Sequence, residues 1–233
     1  MLILGIDDAG RGPVLGSMVL AGVLMNKKHE SVLKKFGVTD SKLMLHPLRV
    51  KTSVLIKKNA ESTHIVLSTP TEIDNSINSG VNLNILEAKK AAEIINTLNV
   101  GKFKKEKITV IIDCPSVNAF AWKNTLMKFI DNTDNLEIKC EHKADFNHIV
   151  VSAASVLAKV TREEEVEKLK DQYKSYGDIG SGYPSDPSTK KFLKEHGSEL
   201  KDSGIFRKTW ATWKALFLEQ NKVKSQSNLA DFN

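Results

Sequence analysis

Cysteine occurs only twice in 233 residues, at Cys114 and Cys140. Two thiols make no disulfide framework, and they suit a reducing cytoplasm. No apolar run approaches the roughly 20 residues of a membrane-spanning helix. The opening, MLILGIDDAG, has no basic segment and reaches two carboxylates by position 8, so it does not read as a signal peptide. Thirteen glycines and six prolines are too few for a low-complexity chain, and no segment repeats at a fixed period. What is present is 41% hydrophobic and 27% charged residues, enough for a core at a length that needs no staples. Thirty-four Lys and Arg against 28 Asp and Glu leave a net charge of +6 and a pI near 9.1. That excess suits phosphate partners without requiring them. With no apolar surplus to cover, a monomer is expected.

Residues 2–6 are a short apolar run ended by Asp7 and Asp8, which predicts a buried strand. Residues 14–25 predict a second strand, long or bent. The lysine-rich stretch 27–59 has helical spacing, and residues 64–68 predict a third strand. Asn82 and Asn84 are N-cap candidates for a helix over 85–98. Residues 108–112 are β-branched and continuous, as in a strand buried on both faces. A helix over 118–130, a strand over 136–140 and a long helix over about 148–173 follow. Turn residues fill 180–187, one or two helices reach about 219, and the chain then turns polar. The first three strands predict an antiparallel meander; the later ones, separated by helices, must cross over and run parallel. The fold class is therefore α/β: a mixed five-stranded sheet flanked by helices, with a small C-terminal helical extension.

Four acidic residues stand out by placement. Asp7 and Asp8 end the first strand, Asp113 ends the fourth, and Asp145 precedes the long helix. Ligands of α/β sheets gather at the carboxyl ends of strands. If the first and fourth strands are parallel neighbours, Asp7 and Asp113 sit side by side. Clustered carboxylates repel, and a divalent cation relieves that repulsion. All-oxygen ligation selects Mg²⁺ or Mn²⁺, and two such ions about 4 Å apart suit phosphodiester hydrolysis. Taken singly, each aspartate is equally a turn or cap residue. Adjacent strand residues face opposite sides, so Asp7 and Asp8 can share a site only if the chain leaves strand geometry there. Cys140, His142, Asp145 and His148 form a weaker, zinc-like spacing without the paired cysteines of structural zinc sites.

The run Gly5-Ile6-Asp7-Asp8-Ala9-Gly10-Arg11-Gly12-Pro13 resembles the opening motif of type 2 ribonucleases H, the ribonuclease HII family, in its archaeal form. The resemblance continues at Asp40-Ser41-Lys42, Ile112-Asp113, His142-Lys143-Ala144-Asp145, residues 151–160, residues 180–187, and Arg207-Lys208-Thr209-Trp210. It implies a ribonuclease H-like sheet and an endoribonuclease. Such an enzyme cuts the RNA strand of RNA–DNA hybrids and nicks 5′ of single ribonucleotides in duplex DNA, with Mg²⁺ or Mn²⁺, leaving 3′-hydroxyl and 5′-phosphate. Asp7, Asp113 and Asp145 match the family's metal ligands, as does position 8, where the family normally carries Glu. Asp8 is one methylene shorter, which leaves open a weakened enzyme that mainly binds hybrid and clamp. Gly10, Arg11 and Gly12 match the segment that senses a ribose 2′-hydroxyl, and Tyr183 the tyrosine at the RNA–DNA junction. Lys42, Lys143 and Arg207 are candidate phosphate contacts.

Gln226, Leu229 and Phe232 resemble the sliding-clamp (PCNA) binding box, with Asn233 in place of its second aromatic. Such boxes are short disordered segments recognised by folding on binding. The expected organisation is a catalytic domain over 1–185, a helical extension over 186–220, and a flexible tail over 221–233. The expected location is the cytoplasm.

Overall fold

The computed structural model describes residues 1–38 and 44–216. By contacts, the chain forms two compact units. Among the described residues, the larger comprises 1–11, 18–38, 44–68 and 81–164; the smaller comprises 12–17, 69–80 and 165–216.

The larger unit is built on one sheet. Strands β1 (Leu2–Ala9), β2 (Met18–Asn26) and β3 (Ser62–Ser68) form the expected meander, and β4 (Ile108–Asp113) and β5 (Leu136–Glu141) follow. The spatial order is β3-β2-β1-β4-β5. β1 pairs antiparallel with β2 and parallel with β4, in register from Leu2↔Ile108 to Ile6↔Ile112. β4 and β5 are also parallel. Because side chains alternate, Ile3, Gly5 and Asp7 share a face with Thr109, Ile111 and Asp113.

Helices cover both faces. Between β2 and β3, the lysine-rich stretch forms α1 (Glu30–Lys35) and α2 (His46–Asn59). One face of the sheet is packed by the apolar first half of the long helix, α7 (Ile149–Gln172); Val150, Val151, Ala154 and Leu157 join Ile3, Val19, Val23 and Ile111 in one buried cluster. The close approach needs a residue without a side chain at Gly5, where a Cβ would fall 2.4 Å from the backbone of Val150. The opposite face carries α4 (Leu83–Leu98) at Gly22, where a Cβ would fall 2.2 Å from Ile94. The Asn82 side chain caps α4 by accepting from Ile85 N–H at 3.0 Å. α5 (Ala119–Met127) packs beside α4, capped by Asn118.

The smaller unit holds two departures from the sequence reading. Residues 14–17, expected within the second strand, leave the sheet: Leu15 bridges Phe206, and Val14 N–H donates to Gly182 O at 2.9 Å. Helix α3 (Pro70–Asn78) was not expected from the sequence, although Thr69 caps it and Pro70 opens it. After α6 (Ala144–Asn147) and α7, helix α8 (Pro187–His196) helps to enclose Phe192, Phe206 and Trp213.

Candidate metal and active site

β1 outruns its pairing with β4 at Ile6, so Asp7 stands at the carboxyl edge beside the end of β4. Asp113 is the last residue of β4, and Asp145 lies in α6, the single turn between β5 and α7. One carboxylate oxygen of each lies within 4.8 Å of the others. Asp7 is 5% and Asp145 7% exposed, and Asp113 is half-buried. Burial pushes the Asp7 carboxyl well above the usual carboxylate range, and the charges of Asp8 and Asp113 push it further. Hydrogen bonds from the Ser155 hydroxyl and the Asp8 amide oppose that rise. The amide donates to Asp7 Oδ1 at 2.8 Å. A site that disfavours its own negative charge, built only from oxygen donors, fits a hard divalent cation.

Asp8 is placed differently. Pairing with β2 continues regularly through Asp8↔Leu20 and Ala9↔Val19, so the strand does not break to turn both carboxylates one way. Asp8 is half-buried and lines a small crevice with Leu20, Glu87 and Trp122, at whose edge Asp7 and Asp113 also lie. It stands outside the group of three and acts on it through charge and through its amide.

Gly10 and Arg11 follow in the larger unit. Gly10 has φ +83°, a conformation that favours glycine. Arg11 is held by α4: its guanidinium donates to Asn84 Oδ1 at 2.7 Å and pairs with Glu87, which is almost fully buried. Gly12 belongs to the smaller unit, with its Cα facing the Tyr183 ring and its carbonyl accepting from Trp210 Nε1 at 3.1 Å. Arg207, expected as a phosphate contact, is fully buried: its Nε donates to Gly16 O at 3.0 Å and its guanidinium lies 4.9 Å from the Trp210 ring centre. The placement ties Arg207 to the packing of the smaller unit. Tyr183 is 42% exposed and Lys143 is exposed. Lys42, Gln226, Leu229 and Phe232 lie outside the described residues. Of the zinc-like spacing, Asp145 joins the aspartates and His148 Nε2 pairs with Glu141 at 2.8 Å.

Sequence reasoning passed over Ser155, Asn84 and Glu87 as parts of this site. Ser155 sits in an apolar half-helix that reads as core, and it is fully buried. Glu87 carried no signal beyond its place in an amphipathic helix; only Asn84 was singled out, as a cap.

The family model for ribonuclease HII matches residues 4–213. Ribonuclease HII of Pyrococcus furiosus is 41% identical over 235 residues, covering 100% of this chain and 98% of its own. The crystal structure of the ribonuclease H2 from Pyrococcus horikoshii OT3 superposes with a TM-score of 0.81 at 34% identity, covering 93% of this chain and 97% of its own. The ribonuclease HII of a PCNA complex from Archaeoglobus fulgidus superposes with a TM-score of 0.77 at 33% identity, covering 90% and 95%. Sheet order, carboxylate cluster and likenesses together define a metal-dependent endoribonuclease that acts on RNA–DNA hybrids. Within that class, the chain belongs to the ribonuclease HII family.

Proposed function

We propose that the protein cleaves the RNA strand of hybrids and also nicks 5′ of single ribonucleotides in duplex DNA, leaving 3′-hydroxyl and 5′-phosphate ends. The observation that carries this reading is the convergence of Asp7, Asp113 and Asp145 oxygens within 4.8 Å at the carboxyl edge of the sheet. Asp7, Asp113 and Asp145 hold the divalent ions, two of Mg²⁺ or Mn²⁺ during turnover, and Asp8 tunes their charge from beside the cluster. When bound, such ions activate the attacking water and neutralise charge on the leaving oxygen. Ser155 and the Asp8 amide keep the Asp7 carboxylate oriented. Gly10, Arg11 and Gly12 offer backbone amides to the ribose 2′-hydroxyl, the group that separates RNA from DNA. The Asn84–Glu87 clamp on Arg11 fixes that segment, and the Tyr183 ring packs on the sugar at the junction. Lys42 contacts phosphate, and the tail carrying Gln226, Leu229 and Phe232 docks on a sliding clamp, a reading supported by the Archaeoglobus relative having been solved in complex with PCNA. The enzyme acts in the cytoplasm as a monomer, with residues 1–185 as catalytic domain, 186–220 as helical extension and 221–233 as clamp-binding tail.

The test is a DNA duplex holding one ribonucleotide, incubated with Mg²⁺, Mn²⁺ or chelator, with both product ends mapped. Metal-dependent cutting immediately 5′ of the ribonucleotide is expected, with an all-DNA duplex left intact. Cutting elsewhere, or of the all-DNA control, refutes the proposed specificity.

The position of Asp8 outside the group of three favours one second reading, a slow enzyme that mainly binds hybrid and clamp. Asp8→Glu separates the two: a large gain in cleavage at unchanged hybrid affinity supports it, and an unchanged rate removes it.

A further inference from the structure

β5 ends at Glu141, and the chain then enters α6 through Lys143. Lys143 has φ 58° and ψ 35°. Among the described residues it is the one non-glycine residue with positive φ. An L-residue there brings its Cβ against the following carbonyl, and the surroundings must hold it in place. The Lys143 side chain is exposed, so its own packing does not supply the hold.

The turn has two visible consequences. Ala144 N–H, the next amide in the chain, donates to Asp113 Oδ1 at 2.8 Å. Asp145, one residue further, brings its carboxylate within 4.8 Å of those of Asp7 and Asp113. α6 is only four residues long, and His148 N–H closes it by donating to Ala144 O at 2.9 Å. A turn this short has no slack: were residue 143 to relax into an extended conformation, the amide on Asp113 and the direction of Asp145 would change together.

We infer that Lys143 is a positioning residue whose left-handed backbone, rather than its ammonium group, sets Asp113 and Asp145 for a divalent cation. The inference rests on reading the three aspartates as the metal site. It assigns Lys143 a role that a phosphate contact would not need, and the two roles are experimentally separable. Glycine and asparagine accept the left-handed region; a β-branched residue does not. Lys143→Gly, Lys143→Asn and Lys143→Val all remove the charge and differ in this tolerance.

The experiment measures Mn²⁺ affinity of the full-length protein and the three variants by titration, with circular dichroism and metal-free melting as folding controls. The Gly and Asn variants are expected to bind Mn²⁺ within about threefold of wild type and the Val variant at least about tenfold more weakly, the loss typical when a ligand's support is removed. Equal affinities for Val and Gly overturn the inference, as does a Gly variant that binds about tenfold more weakly than wild type. If the Val variant does not fold, Lys143→Thr, β-branched but polar at this exposed position, takes its place: weaker binding than the Asn variant supports the inference and equal binding overturns it. A wild-type protein that binds no Mn²⁺ instead overturns the metal-site reading itself. A rise in KM common to all the variants reports the lost ammonium and is read separately from these affinities.

Discussion

Replacing Asp7 by asparagine removes one of three carboxylates packed within 4.8 Å while keeping the Oδ1 that accepts the Asp8 amide. At that spacing and an effective dielectric near 20, each carboxylate pair repels by at least about 3.5 kcal/mol. Two pairs involve Asp7, so full ionisation would cost about 7 kcal/mol. The buried group has a cheaper alternative. An ordinary carboxyl, with pKa about 3.9, takes up a proton at pH 7 for about 4 kcal/mol, which caps the penalty. The Ser155 and Asp8 donors favour the charged form and keep the penalty below that cap. Asp7→Asn should therefore raise the metal-free melting temperature at pH 7, by less than roughly 16 °C at 2–4 °C per kcal/mol for a chain of this size.

The pH dependence has a fixed sign. The folded-state pKa of Asp7 is raised, so the folded protein binds more protons than the unfolded one and loses stability as pH climbs from the ordinary carboxylate range. The advantage of the variant should accordingly vanish near pH 4 and grow toward neutrality. Mn²⁺ should reverse the order, since ligand at 100 times its Kd adds about 2.7 kcal/mol to a protein that binds it and the variant has lost a ligand. Melting curves in EDTA and in Mn²⁺, from pH 4 to pH 8, read all three effects. An Asp7→Asn variant that melts below wild type in EDTA, or gains as much from Mn²⁺, would refute this electrostatic account.

Gly5→Ala should destabilise the fold without touching a charged group. The new Cβ meets Val150 backbone atoms at 2.4 Å, which cannot rotate away, so overpacking of at least about 1–3 kcal/mol is expected, measurable by urea denaturation. Burial pushes the Cys140 thiol up to about 12 and raises the Cys114 thiol. At pH 8 a disulfide reagent should therefore modify Cys140 of the native protein at least about 100-fold more slowly than in the unfolded chain, and Cys114 more slowly as well. Arg11→Ala should cost about 1.5–3 kcal/mol, the range for hydrogen bonds to charged groups, because the buried Glu87 carboxylate loses its guanidinium partner. The same variant should weaken binding of a single-ribonucleotide duplex more than binding of plain DNA.

The sheet was legible because its strands are short apolar runs punctuated by aspartates; the crossovers made the later strands parallel, but that β4 lies beside β1 was only a condition, which the observed β1–β4 register meets. That one pairing brought Asp7 beside Asp113. Asp145 followed from its place before α7, but its approach depends on the left-handed turn at Lys143, which lysine does not advertise. The direction of Asp8 was legible only as a condition, and the unbroken β1–β2 ladder resolves it. Residues 14–17 read as strand because they are apolar, yet Leu15 is buried by Phe206, almost 200 positions later in the chain. The roles of Ser155 and Glu87 depend on packing across the sheet, to which local periodicity is blind.

Asp7, Asp113 and Asp145 are proposed to form one metal-dependent cleavage site. Single-turnover cleavage of an RNA–DNA hybrid by wild type, Asp113→Asn and Asp145→Asn, each with Mg²⁺, Mn²⁺ and EDTA, tests it most directly. Wild-type cleavage should be abolished by EDTA, and the folded variants should be slowed at least about 1,000-fold in either metal, equivalent to about 4 kcal/mol of lost transition-state stabilisation. Cleavage that survives EDTA, or a folded Asp145→Asn variant that cuts at the wild-type rate, would contradict it.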